Sequence, residues 1–500
     1  MTVDQRPADT PEAAAETPAE TAPEPGMSKQ IKIVLGVLLV ATFVMILNET
    51  VMGVALPRLM DQFQITAATV QWLTTGFMLT MAVVIPMTGL ILQRFTTRTV
   101  FLAAIGLFTA GTLLAGAATV FPVLVAARVI QASGTAVMLP LLMTTVMTFV
   151  PAERRGRTMG FITIVIAVAP AIGPTFSGFI LNNLTWRWMF LAVLPIAVLA
   201  LVLGGVLIKN LGETRPVKLD LLSALLSAVA FGGLIYGLSS FGESAAGNDT
   251  PIPPYAAVAA GAASLALFVF RQLRLQRRDA ALMDMRPFKS RSFTVGIVML
   301  LISMATLFGS LILLPIYLQN VLGLTTLETG LVVLPGGLAM GLSGPFIGRI
   351  FDRVGPRPLV IPGSIVLASA VGLLTMLDQD SAVWFIVVIN VMLSLGLSSL
   401  MTPLMTSSLG ALPMELYPHG SAIMSTLQQV AGAAGTAVFI TLMTSGAASS
   451  IESGANEITA QADGIHLAFL CGTAMAVVAV AASFLVKKAD GPAADAIPSH

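Results

Sequence analysis

The stretch "GRIFDRVGPR" at residues 348–357 sets an acid and three arginines between two long apolar runs. A weaker copy, "GLILQRFTTR", stands at residues 89–98, again directly after an apolar run. The second copy follows the tenth such run of the chain and the first copy follows the second. A charged loop repeated at corresponding places is the mark of a chain built from two similar halves.

What surrounds the two copies fixes the class. The 500 residues are 56% hydrophobic and only 10% charged, against about 25% charged in soluble domains. Mean hydropathy is +0.89. Apolar runs of roughly 20 residues, enough to cross a bilayer core of about 30 Å, recur along nearly the whole length. A polytopic all-α membrane protein follows. A membrane β-barrel is excluded, since its strands would alternate apolar and polar positions. Cys471 is the single cysteine and lies in an apolar run, so there is no disulfide framework. His419, His466 and His500 are scattered without metal-ligand spacing, and no metal site or cofactor is expected. Nothing suggests nucleic acid, and net charge is only +1. Residues 1–30 begin with a Pro-, Ala- and Glu-rich stretch lacking an apolar core, which reads as a disordered tail rather than a signal peptide. Residues 489–500 read as a second tail.

Fourteen spans are expected: 31–56, 72–93, 99–118, 122–148, 158–181, 187–208, 221–241, 255–272, 292–318, 327–348, 358–377, 382–406, 421–446 and 466–486. Basic residues test the count, because they collect in cytoplasmic loops. With the N-terminus inside, the cytoplasmic side receives Lys29, Lys32, Arg94, Arg98, Arg154, Arg155, Arg157, Lys209, Arg215 and Lys218. It also receives the run from Arg271 to Arg291, then Arg349, Arg353, Arg357, Lys487 and Lys488. The outer loops receive Asp61, Glu243, Asp249, Asp378, Asp380, Glu452, Glu457 and Asp463. Among basic residues only Arg58 and Arg187 fall outside, and Arg128 falls within a span. Removing one span would invert every later loop, so both termini are expected in the cytoplasm.

Both charged loops resemble the Gly-x-x-x-Asp-Arg-x-Gly-Arg loop of the major facilitator superfamily. The second copy keeps Gly348, Asp352, Arg353, Gly355 and Arg357. The first keeps Gly89, Arg94 and Arg98 but has Gln93 in place of the acid and a threonine in place of the second glycine. "RVIQASGTA" (128–136) resembles the family's Arg-x-x-Gln-Gly motif, with Ala132 for the glycine. "GPTFSG" (173–178) resembles its Gly-Pro-x-x-x-Gly antiporter motif. "WRWMFLAVLP" (186–195) and "NETVMGVALP" (48–57) resemble the sixth and first spans of the fourteen-helix drug/proton antiporter branch. Two departures stand out: Val193 where Asn is usual, and Glu49 one residue beyond the position, here Asn48, where an Asp is frequent. The resemblance covers about residues 31–488. It implies a six-helix bundle at 31–208, an inserted helix pair with its linkers at 209–285 and a second six-helix bundle at 286–488. The cavity would lie between the bundles, which rock in alternating access.

Glu49 is the one acid fully inside a span; Glu328 sits at the outer edge of the tenth. Intramembrane acids are costly and functional by default, and burial raises a carboxyl's pKa toward neutrality. Glu49 is therefore the expected proton-coupling group, with a helix-packing role as the alternative. Arg128 lies at the same depth, each about seven residues or roughly 10 Å from the outer end of its span. An ion pair between them is expected; the alternative is an Arg128 that only braces carbonyls. Met45, Asn48, Glu49 and Met52 share a helix face by their spacing, and Gln131 lies one turn from Arg128. These five are the expected substrate-binding set. Pro170, Gly173, Pro174 and Gly178 predict a bend and a flat packing face in the fifth span. Asp352 with Arg353 and Arg357 predicts an ion-pair latch at the cytoplasmic end, with Arg94 and Arg98 in its degenerate counterpart.

The expected function is proton-coupled export of lipophilic, cationic drugs or toxic compounds by a monomer in the bacterial inner membrane, its partners being small substrates, protons and lipid. The alternative is proton-coupled export of an endogenous metabolite, peptide or lipid-like compound. ATP-driven transport would need a Gly-x-x-x-x-Gly-Lys-Ser/Thr loop, and an enzyme would need clustered nucleophiles; the sequence has neither.

Overall fold

The computed structural model describes residues 29–65, 67–70, 72–208, 220–245, 250–278 and 280–486. Most of both expected tails lies outside the described residues, as do Lys209, Arg215, Lys218, Asp249, Lys487 and Lys488. The described chain is helical.

Among the described residues fourteen long helices follow one another: α1 (Lys29–Phe63), α2 (Trp72–Arg94), α3 (Thr97–Ala117), α4 (Phe121–Phe149), α5 (Ala152–Asn183), α6 (Trp188–Leu207) and α7 (Leu221–Ala245). Then come α8 (Pro254–Leu275), α9 (Arg291–Ile316), α10 (Thr326–Val354), α11 (Arg357–Leu374), α12 (Val383–Gly410), α13 (Tyr417–Glu452) and α14 (Glu457–Ser483). Counted over described residues only, 13 helices are long and apolar enough to cross a membrane. The fifth expected span falls in α5, a 32-residue helix that this count leaves out.

Helix ends follow local chemistry. Thr96, Ser290 and Asn456 each accept a hydrogen bond from the backbone N–H three residues on, capping α3, α9 and α14. Thr325 and Glu328 form a reciprocal capping box at the start of α10. Glu328 is thereby tied to an exposed helix start and takes no place in the cavity. Gly355 ends α10 at φ +81°, a conformation that favours glycine.

Packing separates two groups of six. Within the first, α1 packs on α4, α5 and α6, and α3 on α4 and α6; within the second, α9 packs on α12 and α13, α10 on α12, and α11 on α12 and α14. The most extensive contact in the molecule joins the groups along α5 and α10. Glycines make it possible: a Cβ on Gly160 would lie 2.3 Å from the Gly344 carbonyl oxygen, and one on Gly348 2.0 Å from that of Gly156. The opposite seam joins α2 to α13. Helices α7 and α8 pack on each other, and α7 lies against both α2 and α13. Arg271 of α8 donates to Asp220 at the start of α7 at 2.7 and 3.0 Å. That bond holds the Asp220 carboxyl down at about 2.

Candidate functional site

Between the two groups lies a cavity with about 1560 Å³ of space free of protein atoms, counted to its open mouth. Its first wall carries Thr42, Met45, Ile46, Glu49 and Thr50 of α1, Thr135 and Met138 of α4, and Pro170 of α5. The facing wall carries Ser310 and Leu314 of α9, Gly337 and Met340 of α10, Asn390 and Ser394 of α12, and Ser425, Gln428 and Gln429 of α13. Glu49 is the only charged side chain in this described lining. It is half-buried, and among the described residues no hydrogen bond or ion pair ties it down.

Arg128 is 1% exposed and near enough to Glu49 for the two charges to interact. Its donors nevertheless go elsewhere. Nη1 reaches Asn48 Oδ1 at 3.0 Å, Gln131 Oε1 at 3.1 Å and the Asn48 carbonyl at 3.5 Å; Nε reaches the Leu73 carbonyl at 3.5 Å. The guanidinium also lies 4.1 Å over the Phe77 ring. Gln131 in turn donates to Thr112 at 2.8 Å. The expected Glu49–Arg128 ion pair is thus replaced by a neutral cradle that fixes the arginine through the residue next to Glu49. This leaves the carboxyl open to the cavity.

The structure brings two of the five expected binding residues, Met45 and Glu49, to the cavity wall. The other three lie off that wall. Asn48 sits some 60° around the helix from Met45, toward α4, and is occupied by Arg128. Gln131 is fully buried in the same cradle. Met52, 1% exposed, belongs to an apolar cluster with Leu73, Leu124 and Phe190 beyond the cavity. The period gives relative angle on a helix, but not which sector meets the cavity.

The antiporter-like stretch packs α5 onto α1 beside Glu49. A Cβ on Gly173 would come 2.3 Å from Thr50 Oγ1, and Ser177 donates to the Val51 carbonyl at 3.0 Å. Pro170 faces the cavity, nothing lies within 4 Å of a Cβ on Gly178, and the Pro174 side chain is outside the described residues.

At the arginine-rich end the seam is closed. Asp352 accepts the backbone N–H of Gly156 at 2.7 Å and of Arg157 at 2.9 Å, in the first turns of α5. In place of the expected ion pair, Asp352 is clasped on backbone N–H groups in the second turn of α5, near the helix end whose dipole favours negative charge. Arg357 donates to the Phe484 carbonyl and Arg98 to that of Gly205, within their own groups, while Arg353 is exposed and Arg94 lies over Phe95. On the α2–α13 seam Gln93 makes only a long bond to the Glu415 carbonyl, at 3.3 Å. Buried residues of the linker add to that side: the Asp284 N–H donates to His419 Nδ1, against which Gly89 packs. Thr163 with Thr402, Thr144 with Ser421 and Arg155 with Tyr417 complete the closure. All these bonds between the two groups lie in the arginine-rich half.

Comparison with known proteins agrees with this architecture. The Major Facilitator Superfamily profile matches residues 38–436. The lincomycin resistance protein LmrB of Listeria monocytogenes is 43% identical over 461 residues, covering 91% of this chain and 97% of that one. The multidrug resistance protein B homolog of Mycobacterium tuberculosis is 30% identical over 411 residues, covering 82% and 75%. Among solved structures, the proton:xylose symporter XylE superposes with a TM-score of 0.63 at 14% identity, covering 93% of this chain and 98% of that one. The family match, the relatives and the spanning helices together show a multi-pass plasma-membrane transporter rather than an enzyme. The chain belongs to the major facilitator superfamily.

The polar groups on the α9, α12 and α13 wall were missed by sequence reading. Their signal was present but faint: Ser425, Gln428 and Gln429 recur at helical spacing within an apolar span.

Proposed function

We propose that this chain is a proton-coupled antiporter that exports lipophilic, cationic compounds by alternating access, with fourteen spans and both termini in the cytoplasm. One observation carries the reading: a solitary carboxyl, without ion pair or hydrogen bond among the described residues, on the wall of a largely apolar cavity between the two bundles. Such a group binds either a proton or a cationic substrate. That mutual exclusion is what couples the proton gradient to export. Arg128 holds the neighbouring Asn48 and supplies positive potential without occupying the carboxyl. With the arginine-rich end read as cytoplasmic, the closed seams there support an outward-facing conformation, where substrate leaves and a proton enters. Methionines at Met45, Met81, Met138, Met304 and Met340 give the walls an adaptable surface suited to varied apolar ligands.

The names of the relatives make lincomycin, a cation at neutral pH, the first compound to try beside ethidium. In inverted membrane vesicles, proton-gradient-driven uptake of either compound should occur with the native protein and vanish in Glu49→Gln. Unchanged uptake in Glu49→Gln would overturn the assignment of Glu49. Absence of uptake of both by the native protein would overturn cation export.

A further inference from the structure

The mechanism above uses one wall of the cavity. On the facing wall three polar groups are buried without a hydrogen-bond partner among the described protein groups: Ser310 Oγ, Ser425 Oγ and Gln428 Nε2. Their residues are 5%, 3% and 6% exposed, and all three line the cavity. Ser425 and Gln428 lie one turn apart on one face of α13, with Gln429 beside them at the cavity surface, and Ser310 comes from α9, which packs on α13. A buried serine in a spanning helix can satisfy its hydroxyl on a carbonyl of the preceding turn, as Ser303 does on Met299 and Ser364 on Ile361. Ser310 and Ser425 do not. Buried polar groups that lack a protein partner call for a reason, and on a cavity wall water or a ligand supplies the missing partner.

We infer that Ser310, Ser425 and Gln428 form a hydrogen-bonding subsite that selects substrates by a neutral polar group. The subsite sits across the cavity from Glu49. The ligand class it implies is an amphipathic amine whose positive nitrogen faces Glu49 and whose hydroxyl, ether or amide oxygens face α9 and α13. The amide nitrogen of Gln428 can only donate, and the two hydroxyls can donate or accept, so oxygen acceptors are favoured. A site built to hydrogen-bond such groups discriminates against ligands lacking them, because the site's own groups then stay unpaired. Hydrophobic contact with the methionine-lined surface supplies affinity; this subsite supplies choice.

The inference rests on cation binding at Glu49, so the test keeps the two apart. Binding to the full-length protein in nanodiscs is measured for two probes: tetraphenylphosphonium, a cation with no hydrogen-bonding group, and puromycin, an amine that carries hydroxyl and amide oxygens. Gln428→Met, Ser425→Ala and Ser310→Ala should each weaken puromycin about three- to tenfold, the usual worth of one neutral hydrogen bond, and leave tetraphenylphosphonium unchanged. Because the groups have no partner in the protein, thermal stability without ligand should hold or rise. Glu49→Gln should weaken both probes. Equal loss for both probes in the α9 and α13 variants, or a triple variant that binds puromycin like the native protein, overturns the subsite. Native protein that binds only tetraphenylphosphonium does the same. Subsite variants that behave as expected while Glu49→Gln changes neither probe would instead overturn the cation reading. Binding of neither probe by the native protein overturns both.

Discussion

Arg128 shows how a full charge is kept inside a membrane protein. Its guanidinium spends its donors on Asn48, Gln131 and the Leu73 carbonyl and its face on Phe77. A planar fork is needed for that set, and a lysine carries the charge without the geometry. Arg128→Lys should therefore keep the protein in the membrane yet lower gradient-driven transport at least about tenfold, as expected when a buried hydrogen-bonded charge loses its partners. Transport at the native rate would show that charge alone matters. At this scale the sequence was half legible. Glu49 announced itself as a lone acid inside a span, and Arg128 as its neighbour in depth. The partner of Arg128 was not readable, because Asn48 and Glu49 are adjacent and only their angle about α1 decides which one meets α4. Serines and glutamines in apolar spans are too common for Ser310, Ser425 and Gln428 to stand out before their burial is known.

Helix ends and helix crossings set which side of the cavity is shut. Asp352 clasps the first turns of α5 with two hydrogen bonds, each worth about 1.5–3 kcal/mol when the acceptor is charged. The glycine pairs Gly160 with Gly344 and Gly156 with Gly348 allow the backbones to meet there. Asp352→Asn and Gly348→Ala should both loosen this seam. A cysteine placed at Thr163, which shares a 2.7 Å hydrogen bond with Thr402 in the seam, reports it in a Cys471→Ser background. Its labelling by a water-soluble maleimide should quicken at least about threefold, as a population shift of under 1 kcal/mol requires. An unchanged rate would mean the clasp does not hold the closed state. The sequence flagged Asp352 through its motif, but its partners are backbone N–H groups far away in the chain, a type of contact that no side-chain pattern encodes. At the inserted pair, Arg271 holds the carboxyl of Asp220 near 2, below its ordinary value. A depressed carboxylate stabilises the fold above its unfolded pKa and loses that contribution as pH falls through its folded pKa. The α7–α8 tie should therefore persist at pH 5 and weaken only as pH drops from about 4 toward 2. Limited proteolysis at residues near 220 over that range checks it, and cutting that increases already between pH 7 and 5 would contradict it.

Taken whole, the molecule has two bundles, one tight glycine-lined seam, one seam filled in by the inserted pair and its linker, and a cavity whose lining reaches Pro315 and Leu374, at the helix ends away from the arginine-rich side. The duplicated loop and the alternation of charge between the two sides made the bundle architecture legible, since lipid forces every span to be helical and loop charge orients each one. The asymmetry between the seams was legible only in outline. Gln93 in place of an acid said that the first loop would be weaker, but not that Asp284 and His419 would pack behind it. The central claim is that one carboxyl, Glu49, exchanges a proton for the substrate's positive charge. Proton release on ligand binding tests it most directly. Purified protein in weakly buffered detergent solution, at a pH where its substrate site is part-protonated, is mixed with tetraphenylphosphonium while a pH indicator is followed. Acidification should saturate with ligand and be absent in Glu49→Gln. Native protein that binds the cation without releasing protons, or a Glu49→Gln variant that releases them as before, would contradict it.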